Sequence, residues 1–309
     1  MADVANTFQI MVEKEISDQV KSWRFYILMA LILLTTAGSI YTVLAVIQAH
    51  PAQVSAHATF LYLKLFTKSS HGLPPFVTFI GFLGPLVGIG LGFDAVNSER
   101  NNGTLSRIIA QPIPRDYFIN SKFLGALTII FALIFSLGFL VLGLGIFYIG
   151  FPPTFGEFLR IVVFLLFNCI YIAFWLNLGI TFSTLFEQSS TSALSALAVW
   201  LFFTVFYSMI IRFLANAFYN PRAAHGLTLL LSRISPSYLY QELTSILMTP
   251  SVRDLGGLSF RQISGALPST LPLGQSLLLV WPDITALIAA TLVCFGVSYV
   301  LFMREEIRA

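Results

Sequence analysis

Apolar residues fall in long blocks rather than in alternation, and the blocks are nearly free of charge. A membrane-crossing helix needs about 20 mostly apolar residues. Six blocks meet that length once turn residues trim them: 25–48, 75–94, 118–150, 158–186, 190–211 and 284–303. His50-Pro51 closes the first, and Pro152-Pro153 forces a tight connection after the third. The pattern predicts an all-α polytopic membrane protein, one domain over 1–309, with six spans and both termini on one side.

The stretches between spans are patterned too. In 7–23, Phe8, Met11, Val12, Ile16, Val20 and Trp23 share one side of a helix. Glu13, Lys14, Asp18, Lys21 and Arg24 share the other, with Glu15 intruding on the apolar edge. This predicts an interfacial helix on the inner leaflet that turns into the first span at Trp23. In 99–111, Gly103 and Thr104 make a turn and a helix start. Leu105, Ile108 and Ile109 then form an apolar face beside Arg107, and Pro112 and Pro114 stop the helix. A short one-sided helix presented to the cytoplasm has the character of a docking surface.

The 70 residues 212–281 are too many for a simple connector. Ser235-Pro236 is an N-cap followed by proline at N1, with Leu239, Leu243, Ile246 and Leu247 at helical spacing and Pro250 as a stop. Residues 270–281 are apolar but too short to cross, and read as a re-entrant or interfacial segment. The region is expected to be a structured outer cap resting partly in the bilayer. Within the second span, Gly84, Gly88 and Gly92 recur every fourth residue and predict close helix packing beside a kink at Pro85.

Composition narrows the function classes. Hydrophobic residues make up 57% of the chain and charged ones 10%, too few charges to cover a soluble protein. The net charge of +3 is not gathered into a stripe, which argues against nucleic acid. Lys14, Lys21 and Arg24, then Arg100, Arg107, Arg115 and Lys122, then Arg304 and Arg308 flank one side of the spans. The positive-inside rule makes that side, and both termini, cytoplasmic. Cys169 and Cys294 sit in apolar runs with no metal or disulfide spacing. His50, His57 and His71 share the first outer loop without metal-ligand spacing.

The spans hold almost no ionisable groups, which counts against an ion-driven carrier. Asn168 and Asn177 in the fourth span either line a polar path or bond between helices. Neither a phosphate-binding G-x-x-x-x-G-K-[ST] motif nor a catalytic constellation occurs, so ATP, if used, is bound by another polypeptide.

The ordered elements resemble the membrane subunits of ABC-2-type (type V) ABC transporters over nearly the whole chain. Lys14-Glu15-Ile16 and Val20-Lys21-Ser22 resemble the elbow helix of that family. Glu99-Arg100-Asn101-Asn102-Gly103-Thr104-Leu105 resembles its E-x-x-x-G-T-[LF] motif. Gln111-Pro112-Ile113-Pro114-Arg115, Ser190-Thr191-Ser192-Ala193 and Ile234-Ser235-Pro236-Ser237-Tyr238-Leu239 resemble later segments in the same order. Within the family, the chain resembles the subgroup that includes the permease of nitrous-oxide-reductase maturation.

The resemblance implies a permease in the plasma membrane that pairs with a second permease subunit, identical or different. It implies a separate ATP-binding subunit that carries ATP and magnesium, and no cofactor or catalytic residue on this chain. The loop helix would be the coupling helix, with Glu99, Arg100, Gly103, Thr104, Leu105 and Ile108 as its matching positions. The expected cargo is hydrophobic or amphipathic and moves outward. The alternatives are an ATP-driven mechanical module acting on an outer-side partner protein, or an ion-coupled carrier.

Overall fold

The computed structural model describes residues 2–49, 60–67, 74–111, 113–216, 221–249 and 272–304. Among these residues the chain is helical with no strand. The helices are α1 (Ala2–Val20), α2 (Trp23–Ala49), α3 (Leu61–Thr67), α4 (Phe76–Gly92), α5 (Asn97–Asn101), α6 (Thr104–Ile109), α7 (Arg115–Ile149), α8 (Phe155–Leu185) and α9 (Ser189–Leu201). A π-helical turn, Phe202–Phe206, joins α9 to α10 (Tyr207–Asn216). Then follow α11 (Pro221–Ser232), α12 (Pro236–Met248) and α13 (Leu273–Arg304).

Among the described residues, five helical stretches are by themselves long and apolar enough to cross a membrane. A sixth is reached when α1 and α2, bent by 67° at their junction, are taken together. The bend has a local cause. The Ser22 hydroxyl donates to the Gln19 carbonyl at 2.7 Å, ending α1, and accepts from the Phe25 amide at 3.3 Å, starting α2. One side chain thus serves both helix ends.

Helix α8 is the pole of the bundle, with α4, α7, α9, α12 and α13 packed around it. It starts on a capping box: the Glu157 amide bonds the Thr154 hydroxyl, and the Glu157 carboxylate bonds the Thr154 amide. The glycine file of α4 lies directly on its backbone. A methyl group on Gly88 would stand 2.6 Å from the Ile172 carbonyl oxygen, and one on Gly92 2.6 Å from that of Leu176. A methyl group on Gly84 would stand 2.9 Å from the Ile172 side chain, and from α8 Gly179 answers Gly92. Pro85 lies inside α4, which continues through it.

The expected re-entrant segment at 270–281 does not exist as a separate piece. From Leu273 it is the first part of α13, a continuous helix of 32 residues with Pro282 inside it. Trp281-Pro282-Asp283 reads as a boundary because proline removes an amide donor and aspartate prefers water. Asp283, however, is only 2% exposed, with Arg233 at 3.9 Å. Residues 250–271 of the expected cap, and with them Pro250, lie outside the described residues, as do His50, His57 and His71.

The rest of the cap region sits deeper than the sequence implies. Leu239, Tyr240, Leu243, Leu247 and Met248 of α12 are buried. Ser235 caps this helix through the Tyr238 amide at 3.4 Å. Arg160 of α8 donates to the Leu247 carbonyl at 3.0 Å and to the Ser276 hydroxyl at 3.1 Å, tying α12 and α13 to the pole.

Candidate functional site at the charged junction

The E-x-x-x-G-T segment folds as two short helices around a left-handed turn. Gly103 has φ of +67°, where a side chain is strained. That reversal brings Thr104 back over Glu99. The Thr104 hydroxyl bonds both the Glu99 carboxylate and the Glu99 carbonyl, the latter at 3.1 Å. The acidic residue, the glycine and the threonine therefore close one loop, which is why the spacing matters.

Glu99 also looks inward. Lys122, near the start of α7, approaches it at 3.3 Å and Glu15 of α1 at 2.6 Å. Both Lys122 and Glu15 are nearly buried, at 7% and 6% exposure. Lys14 adds a second cation 3.6 Å from Glu99. Burial pushes the Glu99 carboxyl up, but the Thr104 hydroxyl, Lys122 and Lys14 outweigh it and hold the group below its ordinary value. One lysine thus joins the elbow helix, the turn and the third span.

The Glu15 side chain that looks misplaced on the apolar edge of α1 is the closest partner of that lysine. Gln19 donates to it at 3.0 Å, and Gly125 of α7 lets its aliphatic part approach, since a methyl group there would meet Glu15 carbons at 3.0 Å. Arg24 pairs with Asp94 and lies over the Phe93 ring, fastening the start of α2 to the end of α4. Between these elements is an open cavity of about 370 Å³ lined by Lys14, Glu15, Arg24, Asp94, Glu99 and Lys122, among others.

The turn is fastened to the pole as well. The amides of Val96 and Asn97 donate to the Ser183 hydroxyl at 2.9 and 3.2 Å. Asn101 donates to the Glu187 carbonyl at 3.1 Å, and the Ser189 hydroxyl to Asn97 Oδ1 at 2.9 Å. These bonds tie the segment to the ends of α8 and α9.

Two expectations change here. Leu105 is not a docking anchor exposed on a one-sided helix: it is 2% exposed and belongs to the bundle core, and Ile108 packs against that core. The reason is the amphipathic pattern itself. An apolar face on a six-residue helix is satisfied by the nearest apolar surface, which is the chain's own bundle. Among the described side chains of this segment, Asn102, Ser106, Arg107, Ala110 and Gln111 are exposed and Arg100 is half-buried, a mainly polar set; the Ile109 side chain is not among those described.

Asn168 and Asn177, read as a candidate polar path, are both fully buried. They bond between helices instead. Tyr240 of α12 donates to Asn168 Oδ1 at 2.7 Å, and Asn177 Nδ2 to the Thr291 carbonyl of α13 at 3.4 Å. Their separation of nine residues puts them on opposite faces of α8, and a helix packed on all sides buries both. The sequence reading missed Tyr171, which stacks on Tyr240 at 4.2 Å and donates to the Gly81 carbonyl at 3.2 Å. It also missed Glu15, Lys122 and Ser183 as partners of the turn. The available signal was a carboxylate on the apolar edge of an amphipathic helix and a lysine inside an apolar block.

The site thus belongs to a polytopic helical bundle in which α1 and the E-x-x-x-G-T turn share one buried lysine. The chain belongs to the ABC-2 transporter family, matching the family described as ABC-2 family transporter protein over residues 9–307. Among curated proteins it is similar to the "Probable ABC transporter permease protein NosY" of Pseudomonas aeruginosa strain PAO1. The two are 28% identical over 240 residues, covering 73% of this chain and 77% of the relative.

Proposed function

We propose that this chain is the membrane subunit of an ATP-driven exporter of hydrophobic or amphipathic cargo. A separate subunit binds ATP and magnesium and docks on the polar face of α6, and a second permease subunit, identical or related, completes the path. The junction and both termini face the cytoplasm of a plasma membrane, in line with the lysines and arginines that flank it. The observation that carries the reading is the junction: a turn with an exposed polar face is bonded to α1, α7, α8 and α9, so a push on it reaches the spans. The absence of a phosphate-binding loop from the sequence supports a separate energy source.

The docking residues in this reading are Ser106 and Arg107, with Asn102 and Gln111 at the rim, rather than Leu105 and Ile108. The test is affinity purification from the native host in mild detergent, with wild type beside the pair Ser106→Glu, Arg107→Glu. The wild type is expected to retain a polypeptide with a phosphate-binding loop and ATP hydrolysis. The variant should elute as the same folded species with the partner reduced by about tenfold, a loss of about 1.4 kcal/mol. Full retention of the partner by the variant removes α6 as the docking element. A well-folded wild type without partner or hydrolysis removes the ATP-driven reading.

A further inference from the structure

The half of the bundle away from the charged junction holds a second open cavity, of about 410 Å³, at the meeting of α4, the π-helical turn and α12. Among the described residues that line it, none is charged. Its wall carries Thr78, Thr204, Ser237, Gln241 and Thr244, with Phe82 as its main aromatic surface. Thr204 lies inside the π-helical turn, a deviation that is frequent at functional sites. Gly81 admits the Tyr240 ring to the back of the cavity, since a methyl group there would stand 2.7 Å from that ring.

The Thr244 hydroxyl bonds the Tyr240 carbonyl at 2.8 Å, whereas the Ser237 hydroxyl has only distant partners. Ser237 Oγ is 3.3 Å from the Tyr171 hydroxyl and 3.4 Å from Thr204 Oγ1, both long for hydroxyl pairs. Gln241 is exposed at the rim. Hydroxyls and a carboxamide both donate and accept, so the wall suits a ligand that does the same. Among the described lining residues an ionised headgroup finds no counter-ion to offset its loss of water. The volume lies in the range of small-molecule pockets, about 300–1,000 Å³. At the mouth, Phe82 is 48% exposed and packs edge-on to Trp200 at 4.9 Å, and Phe202 and Phe206 of the π-helical turn are exposed. These exposed aromatic rings suit a chain arriving from the bilayer.

We propose that this cavity holds the headgroup of a neutral amphipath rich in hydroxyl or amide groups, its apolar chain lying along Phe82 and the π-helical turn. The assignment rests on the permease reading and narrows its cargo to uncharged headgroups.

The test places a bimane fluorophore on Ser245→Cys, at the exposed rim, in a chain carrying Cys294→Ala, reconstituted in nanodiscs. The probes are monoglucosyl diglyceride and phosphatidylglycerol with the same brominated chains, which quench bimane on contact. The neutral lipid is expected to reach half-maximal quenching at a mole fraction about tenfold lower than the anionic one. Thr78→Val with Thr204→Val should erase that preference while size and helicity stay unchanged. Equal quenching by both lipids, preference for the anionic one, or an unaltered preference in the valine pair would overturn the proposal. Displacement by free glucose would also overturn it, in favour of a water-soluble ligand. Co-purification of the ATP-binding partner is scored separately, so a failed permease reading is distinguishable from a failed cavity.

Discussion

Helices α8 and α9–α10 are both apolar enough to cross a bilayer, yet the chain treats them in opposite ways. The apolar window of α8 is 67% buried inside the bundle, and that of residues 189–216 only 17%. α8 carries Asn168, Asn177, Thr181, Ser183 and Arg160, all buried and each with a hydrogen bond to a neighbouring element, although Asn177 Oδ1 has no partner among the described residues. α10 shows Met209, Ile210, Phe213 and Leu214 to the outside. Mean apolarity therefore says that a helix crosses, and interspersed polar groups say which helix the others wrap. In lipid an unpaired polar group is costly, so polar side chains collect on the helix with partners on every side.

The comparison can be broken first at the glycine file. Gly88→Leu drives a side chain into the Ile172 carbonyl and should cost about 3 kcal/mol or more. The expected result is loss of monodisperse protein in detergent; normal yield and thermal stability would mean that α4 does not lie on α8 as described. Next is Leu105→Asp, which buries an unpaired carboxylate and should lower stability by about 3 kcal/mol, seen as a fall in Tm. Arg107→Glu, one helix position class away, should stay within about 0.5 kcal/mol in the same assay. Equal effects would return Leu105 to the outside.

Tyr240→Phe removes the donor to Asn168 and should cost about 1 kcal/mol in a denaturation series, with the ring stack kept. No change would show that Asn168 is satisfied elsewhere. The smallest effect belongs to Met209→Ser, 62% exposed on α10, which should leave the single chain within about 0.5 kcal/mol of wild type. A loss as large as that of Tyr240→Phe would mean α10 packs on its own bundle.

The membrane architecture was legible because lipid imposes a length that long apolar blocks display. The block at 118–150 is α7, Arg115–Ile149, and that at 158–186 is α8, Phe155–Leu185. Local chemistry was legible as well: Ser235 caps α12, and Gly103 takes the left-handed turn. What was not legible involves partners distant in sequence. Glu15 meets Lys122 across 107 positions, and Tyr240 meets Asn168 across 72, pairings that no periodicity encodes. The outward direction of Leu105 was misjudged for a related reason, since an apolar stripe records that a face is covered and not by what. Proline and aspartate at 282 and 283 misled because their usual preferences gave way to burial beside Arg233.

The π-helical turn at Phe202–Phe206 has a consequence for how this helix tolerates change in length. A residue added to or removed from α9 or α10 rotates everything beyond it by about 100°, turning one face of the helix into another. A π turn is one residue absorbed as a local bulge, with the flanking segments kept in phase. Removing one residue within 202–206 should therefore tighten the turn to ordinary α-helix and leave Tyr207 pointing at the Leu231 carbonyl, which it reaches at 2.8 Å. The two halves of the fifth span, α9 and α10, thus meet at a short segment where the chain can lose a residue without re-aiming either.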